Sequence, residues 1–287
     1  MTKMAGPPKI FDPQRRRLAR DRAHAAFAGH DFLYRYMLDG LIERIEDVQR
    51  PLGHVLVIGC PDDSARRQLE AKGKTVTCCD SGNRNASFNA GIQAEEDALP
   101  FADNSFDLVL ACGTLDSVND LPGALIHIRR VLKPDGLLLA SLTGAGSLPR
   151  LKAALLEGEG DKARPHVHPQ IEVRAAGDLL ARAGFAMPVA DVETLNVRYP
   201  SLLHLMRDLR GMGHGNIMML DRTGPLSREA VARAAAHFQS FADNDGKTTE
   251  QFAVLYLSGW KPDASQPKPA RRGSATVSLT EALKTKN

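Results

Sequence analysis

One stretch, residues 54–80, constrains the fold of this chain more than any other. Its sequence is HVLVIGCPDDSARRQLEAKGKTVTCCD. Residues 55–58 form a continuous apolar run that ends at Gly59, which is typical of a strand buried on both faces of a parallel sheet. The polar residues 62–64 supply N-cap chemistry for a short helix, and residues 75–79 form a second strand. The stretch therefore predicts a strand, a helix and a second strand of one sheet.

The polar ends of these two strands mark an expected binding site. In a doubly wound sheet, ligands lie at the carboxyl edge of the strands, where the strand order reverses. Gly59 follows the first strand and Asp80 ends the second, so both residues are expected at this edge. An ionised carboxylate at Asp80 can accept two hydrogen bonds from a ribose diol. The sequence therefore predicts a nucleoside-binding pocket at Gly59 and Asp80.

The rest of the chain continues the alternation of strands and helices. Further strands are predicted over residues 92–94, 108–112, 137–142, 189–197 and 252–258. Helical patterns precede and separate them, the first over residues 30–48 with apolar side chains at steps of three and four. This alternation predicts a single α/β domain with a mostly parallel sheet, in which residues 55–58 lie away from the edges.

Three regions are expected along the chain. They are an N-terminal helical segment at residues 1–50, a main domain at 51–260 and a basic tail containing Pro and Ser at 261–287. A helical insertion at about residues 198–245 is expected to cap the substrate pocket of the main domain. The basic stretch 13–27 allows two interpretations, a solvated helix face, which is favoured, or a flap over the edge of the sheet.

Composition excludes several classes of protein. A formal net charge of +3 and an aromatic content of 5% argue against a nucleic-acid-binding protein. The sequence holds 4 cysteines, all within or beside predicted strands, which favours a reducing compartment. No apolar run approaches the roughly 18 residues that a membrane span needs. We expect a cytoplasmic protein, or a protein of the mitochondrial matrix if the source is eukaryotic.

Two sets of motifs resemble a known family. An ordered set resembles the class I S-adenosylmethionine-dependent methyltransferases (type 11) and consists of Gly59-Cys60, Asp80 and residues 95–101, 106–109 and 131–136. A second set resembles the branch that contains complex I assembly factor 5 and consists of residues 118–122, 182–185, 208–209, 211–213, 259–261 and 272–277. The likeness runs over nearly the whole chain. It implies a Rossmann-like sheet of seven strands with the last strand inserted antiparallel, and S-adenosylmethionine as cofactor.

The resemblance also implies site residues. The residues expected to bind the cofactor are Gly59, Cys60, Asp80, Ser81, Glu95, Glu96, Ala111 and Cys112. Asp80 matches the acid that binds ribose, and Glu95 matches an acid that faces the adenine amino group. Asp116 and His214 are expected on the substrate side, and no catalytic residue is assigned.

The first loop departs from the family pattern. The family has an acidic residue and a Gly-Cys-Gly-x-Gly loop, where this chain has Val57, Pro61 and Asp63. A side chain at Asp63 would crowd the approach of the methionine moiety, and Pro61 removes a backbone donor. For Asp62 and Asp63, a role in capping the following helix is favoured over a role in binding.

No metal site is predicted. His166 and His168 lie between two prolines and share a face in an extended segment, so they allow an iron site with Glu172. A surface loop is the favoured interpretation, because spacing alone does not provide the geometry of an iron triad. A thiol pair of Cys60 and Cys112 is likewise better explained by buried packing.

The resemblance implies a function with two alternatives. The leading hypothesis is a methyltransferase-family enzyme that modifies a protein side chain, in the setting of respiratory complex I assembly. The mitochondrial member of that branch is known as an arginine hydroxylase that acts on a subunit of complex I. One alternative is a non-catalytic assembly or scaffold protein with a degenerate cofactor loop, and the other is a methyltransferase acting on a small molecule.

Overall fold

A single seven-stranded sheet organises the chain. The computed structural model describes residues 9–160, 164–219 and 226–266. The strands are β1 (His54–Ile58), β2 (Thr75–Asp80), β3 (Ile92–Gln93), β4 (Phe106–Cys112), β5 (Leu132–Thr143), β6 (Ala186–Tyr199) and β7 (Thr248–Trp260). They lie in the order β3-β2-β1-β4-β5-β7-β6. The five strands from β3 to β5 run parallel, and β7 pairs antiparallel with both β5 and β6. The predicted α/β fold with an inserted antiparallel strand is confirmed.

Helices flank the sheet and begin where the sequence supplies a start signal. They are α1 (Pro13–Ala23), α2 (Phe32–Glu46), α3 (Ser64–Ala71), α4 (Asn83–Phe88), α5 (Leu121–Val131), α6 (Pro149–Glu159), α7 (Val173–Arg182), α8 (Leu202–Gly211) and α9 (Arg228–Gln239). At α1, the Asp12 carboxylate accepts hydrogen bonds from the Gln14 and Arg15 amides, and Pro13 occupies the first turn. Within the described residues, none of the helices combines the length and the apolar composition that crossing a membrane requires.

The core lies on both faces of the sheet. Val55 and Val57 face one apolar cluster, and Leu56 and Ile58 face the other. This explains why β1 is a continuous apolar run, since every side chain of residues 55–58 is buried. The apolar stripe of α2 joins the first cluster, as the sequence predicts. The sheet is therefore held rigidly from both sides, which fixes the positions of its carboxyl edge.

A sequence typical of a turn lies inside a strand. Residues 133–136 read Lys-Pro-Asp-Gly, but β5 begins before them, at Leu132. Asp135 adopts a left-handed φ of 62°, and the register between β4 and β5 shifts between the pairs Phe106–Leu132 and Leu108–Leu137. The turn residues thus form an irregularity in a longer strand, because pairing with Phe106 extends β5 past the turn signal.

The cap is carried by the last two strands. Helices α8 and α9 lie between β6 and β7 in the sequence. The residues of β7 from 248 to 253 pair with β6 alone, whereas residues 254–260 also pair with β5. A two-stranded ribbon therefore extends past the sheet and carries the helices of the cap at its end. The family-like residues 271–277 lie outside the described residues.

Candidate functional site

The predicted site residues meet at the carboxyl edge of the sheet. Gly59 follows β1, Asp80 ends β2, and Glu95 and Glu96 follow β3. The end of β4 contributes Cys112. We call Asp80, Glu95 and Glu96 the nucleoside end, because the resemblance places ribose and adenine there.

The carboxylate of Asp80 is completely buried and pairs with a residue of α1. Its Oδ1 accepts hydrogen bonds from Arg20 Nε at 2.8 Å and from the Gly82 amide at 2.7 Å. Its Oδ2 accepts from Arg20 Nη2 at 2.6 Å and from the Cys60 amide at 2.9 Å. Burial alone raises the pKa of Asp80, but the Arg20 charge and these hydrogen bonds outweigh it and hold the pKa below its ordinary value. Asp80 is thus ionised and bonded on all sides.

A second arginine of α1 binds the two glutamates. Arg16 donates from Nη1 to Glu96 Oε2 at 2.7 Å and from Nη2 to Glu96 Oε1 at 2.8 Å, a bidentate pair. Its Nη1 also reaches Glu95 at 2.8 Å. Its remaining donors bind the Ser117 hydroxyl and Thr114. Of the two glutamates Glu96 is the more buried, with 1% of its surface exposed. Arg17 Nε also donates to Glu95 Oε1 at 2.6 Å, so the nucleoside end holds three guanidinium groups, of which those of Arg16 and Arg20 are buried.

This arrangement corrects the favoured interpretation of α1. The sequence favours a solvated basic face for the stretch 13–27, yet Arg16 and Arg20 are 4% and 9% exposed. They are four residues apart, so they lie on one face of the helix. That face lies on the acidic edge of the sheet, as in the alternative interpretation of a flap. The spacing is the signal in the sequence that identifies these two residues.

The first loop combines a tight backbone with local capping. Gly59 has a φ of 83°, and a Cβ added there would lie 2.7 Å from the Cys112 carbonyl oxygen. Asp62 accepts a hydrogen bond from the Ser64 amide at 3.0 Å at the start of α3. Asp63 pairs with Arg67 one turn further along the same helix. Asp62 therefore caps the start of α3 and also pairs with Arg35 of α2, whereas the Asp63 side chain makes no capping hydrogen bond.

Not all of the predicted residues reach a cavity. Ala111 lies within β4 and is completely buried in the apolar cluster that contains Leu56. Cys112 faces the opposite cluster and lines a small cavity together with Tyr34 and Pro61. The Ser81 hydroxyl is buried and has no hydrogen-bond partner among the described residues. It is the one unpaired hydroxyl group beside Asp80 in the described structure.

An open cavity adjoins the nucleoside end. One side of it is formed by Asp116, Thr143, His168 and His214, a set that we call the acceptor wall. Asp116 hydrogen-bonds to the Thr143 hydroxyl. Arg16 and Arg20 line the same cavity. The predicted substrate-side residues Asp116 and His214 therefore share one cavity with the arginines of α1.

Burial and charge set the protonation of the acceptor wall. Burial lowers the pKa of both His168 and His214, and the Asp116 charge only partly opposes this. For Asp116, burial raises the pKa, but the attraction of His214 and the hydrogen bond from Thr143 leave it lower than usual. The wall thus offers an ionised carboxylate and two imidazoles that favour the neutral form. Neutral imidazoles can accept a proton.

The sequence underestimates His168. Its half-buried ring packs edge-on against Phe11, with the centroids 4.9 Å apart, and its Nε2 accepts a hydrogen bond from the Ile217 amide. It therefore belongs to the wall of a cavity and not to a surface loop. His166 pairs with Glu159 at 3.0 Å. Across the described ranges, no group of three or more His, Cys, Asp or Glu side chains is arranged to hold a metal ion.

The nucleoside end does not fit a nucleoside in this conformation. A carboxylate offers about four acceptor positions, and Asp80 already accepts four hydrogen bonds, from Arg20 twice and from the Gly82 and Cys60 amides. The Arg20 guanidinium lies where a ribose diol would donate. The acids themselves have the chemistry that a nucleoside needs, but α1 occupies them.

Comparisons with known proteins agree with this fold. Residues 56–140 match the family described as "Methyltransferase domain". The mitochondrial arginine-hydroxylase NDUFAF5 of Danio rerio is 36% identical over 290 residues, which cover 96% of this chain and 90% of that protein. The malonyl-[acyl-carrier protein] O-methyltransferase of a Methylovorus species is 31% identical, over 91% of this chain and 93% of that protein. Among solved structures, the YcgJ protein of Bacillus subtilis matches with a TM-score of 0.55 at 16% identity. The match covers 79% of this chain and 99% of that protein, and it shows the fold alone.

Proposed function

Because the chain belongs to the class I S-adenosylmethionine-dependent methyltransferase family, in the branch of arginine-hydroxylase NDUFAF5, we propose that it modifies an arginine side chain of a protein. The observation that carries this proposal is that Glu96 and Glu95 both accept hydrogen bonds from the Arg16 guanidinium. A planar guanidinium bound by a carboxylate through two parallel hydrogen bonds is the usual mode of arginine recognition. The edge of the cavity therefore already has the chemistry of an arginine site.

The acceptor wall supports the same proposal. A guanidinium stays protonated at neutral pH, so a reaction at one of its nitrogens requires removal of a proton. His168 and His214 favour the neutral form and line the cavity that Arg16 enters. We assign to them the role of accepting this proton, and to Asp116 the role of stabilising the imidazolium that forms. S-adenosylmethionine is the cofactor of the family and supplies a methyl group when it is bound.

The proposal extends to partner and compartment. The relatives that bear the name NDUFAF5 are mitochondrial by name, and the branch implies a setting of complex I assembly. We propose a basic segment of a respiratory-complex subunit as the partner, since the acidic edge selects for arginine. The four cysteines are all free and buried, which supports a reducing compartment such as the cytoplasm, or the matrix if the source is eukaryotic.

A non-catalytic scaffold is the second candidate. It is favoured by the four hydrogen bonds that fill the acceptor positions of Asp80. Methylation of a malonyl carboxylate has less support, because the two arginines that line the cavity already pair with carboxylates. A carboxylate substrate would have to compete with Glu96 and Asp80 for them.

Mass spectrometry of arginine-containing peptides tests the proposal. Peptides with one arginine, and matched peptides with lysine, are incubated in air with S-adenosylmethionine and the chain. We expect a mass increase of one methylene, for methyl transfer, on the arginine peptide only. The double variant His168→Gln, His214→Gln should abolish it, and Glu157→Gln, an exposed change on α6, should not. Capture of the arginine peptide without a mass change would instead establish the scaffold.

A further inference from the structure

The docking of α1 on the sheet depends on charge more than on apolar contact. The residues that α1 buries are Arg16, Arg20 and Ala23. Only Ala23 among them is apolar, whereas α2 buries a full apolar stripe. The docked position of α1 is therefore held mainly by the pairs that Arg16 and Arg20 make with Glu96 and Asp80.

Such pairs can be exchanged at modest cost. Taking a guanidinium and a carboxylate out of water costs free energy that nearly cancels their attraction. Leaving Asp80 without any partner costs much more, because a buried charge would then be uncompensated. A ligand that donates hydrogen bonds to Asp80 avoids that penalty, so it can replace Arg20.

The segments on either side of α1 keep it near the sheet. Before the helix, the Asp12 amide donates to the Ile217 carbonyl at 2.9 Å, and the Ile10 and Phe11 amides donate to Asn119. After the helix, Phe27 is buried in the main core. At the carboxyl end of the helix, His24 Nδ1 lies 2.9 Å from Asn85 Oδ1, and the His24 ring packs edge-on against Phe88. The helix can therefore release Arg20 while its flanking segments stay attached.

We propose that α1 is an internal competitor of the cofactor, which closes the nucleoside end by placing Arg20 on Asp80. A nucleoside binds in a second conformation, in which Arg20 has left Asp80. In that conformation the bound nucleoside supplies a hydrogen-bond partner for the unpaired Ser81 hydroxyl beside Asp80. This inference rests on the family cofactor assumed in the proposed function, but not on the arginine substrate. Its tests measure binding without turnover, so failure to modify arginine would leave it standing.

Calorimetric titration of the full chain with S-adenosylhomocysteine and with adenosine tests the competition. Arg20→Met removes the competing group, and Arg22→Met is the matched control, since Arg22 is exposed on the same helix. We expect Arg20→Met to bind both ligands about tenfold more tightly, because the binding-competent fraction rises. Arg22→Met should bind as the parent does. Equal or weaker binding by Arg20→Met would overturn the proposal, and so would a gain for S-adenosylhomocysteine without one for adenosine.

Two further measurements guard against a variant that does not fold. Arg20→Lys keeps the positive charge but not the two-pronged hydrogen bonding, so it should fold and show a smaller gain in affinity. Hydrogen exchange of the unaltered chain with saturating S-adenosylhomocysteine should show faster exchange in residues 13–23. Slower or unchanged exchange there would contradict the proposal. If the unaltered chain binds neither ligand, a folded Arg20→Lys that also binds neither overturns it.

Discussion

The nucleoside end and the acceptor wall lie on the same cavity but differ in how completely their polar groups are paired. At the nucleoside end, Asp80 and Glu96 are buried and matched by Arg20 and Arg16. At the acceptor wall, Asp116, His168 and His214 are half-buried and face open space. The first region is electrostatically complete without a ligand, whereas the second is not. Acidic residues at the ends of the strands therefore do not by themselves show that a binding site is open to a ligand.

Removing the Asp80 carboxylate should have the largest effect on stability. In Asp80→Ala, Arg20 remains buried without its partner, and breaking a buried pair in this way costs about 3–5 kcal/mol of unfolding free energy. Urea denaturation of the parent and the variant measures the loss. Asp47→Asn, an exposed change after α2, is the control and should stay within about 0.5 kcal/mol. A similarly small loss for Asp80→Ala would mean that the two regions do not differ in pairing.

Gly59→Ala tests the first loop, whose Cys60 amide binds Asp80 of the nucleoside end, and should have the next largest effect. The φ of 83° is unfavourable for alanine, and its Cβ would lie 2.7 Å from the Cys112 carbonyl oxygen. We expect a loss of about 1–3 kcal/mol in unfolding free energy by urea denaturation. At Gly29 an added Cβ meets nothing within 4 Å, so Gly29→Ala is the matched control. Equal stabilities of the two variants would show that the loop can relax.

The smallest expected effect is a pH dependence that belongs to the acceptor wall. The pKa values of His168 and His214 in the folded chain lie below the ordinary value of 6.5. Below pH 6.5 the unfolded chain therefore binds more protons than the folded chain, so the free energy of unfolding decreases as the pH falls. Above pH 6.5 the two neutral histidines make their full contribution to stability. The double variant His168→Gln, His214→Gln should lose less stability than the parent over this range.

The control for this pH dependence is the exposed His204. Denaturation of His204→Gln at a series of pH values should follow the parent curve. If the double variant also followed the parent curve, the acceptor wall would not favour neutral imidazoles, and its assignment as a proton acceptor would be wrong.

The sequence predicted the fold well because its signals are local. The apolar run of residues 55–58 requires burial on both faces, and the turns and helix starts that surround it leave few topologies. The pairing of Arg20 with Asp80 joins residues 60 positions apart. Periodicity shows that Arg16 and Arg20 share a face, but not whether water or an acidic edge covers it. His168 was misjudged for the same reason, since its wall is completed by Asp116 and His214 from distant segments.

The ribbon formed by β6 and β7 has a consequence for how such proteins diverge. Both ends of the segment that holds α8 and α9 enter the same pair of antiparallel strands, and their register is fixed by backbone hydrogen bonds. Outside the side chains that pack in the main core, residues 200–247 can therefore change without shifting the strand ends next to Asp80 and Glu96. His214 belongs to this replaceable segment. The part of this segment that lines the cavity can thus vary while the sheet edge stays the same.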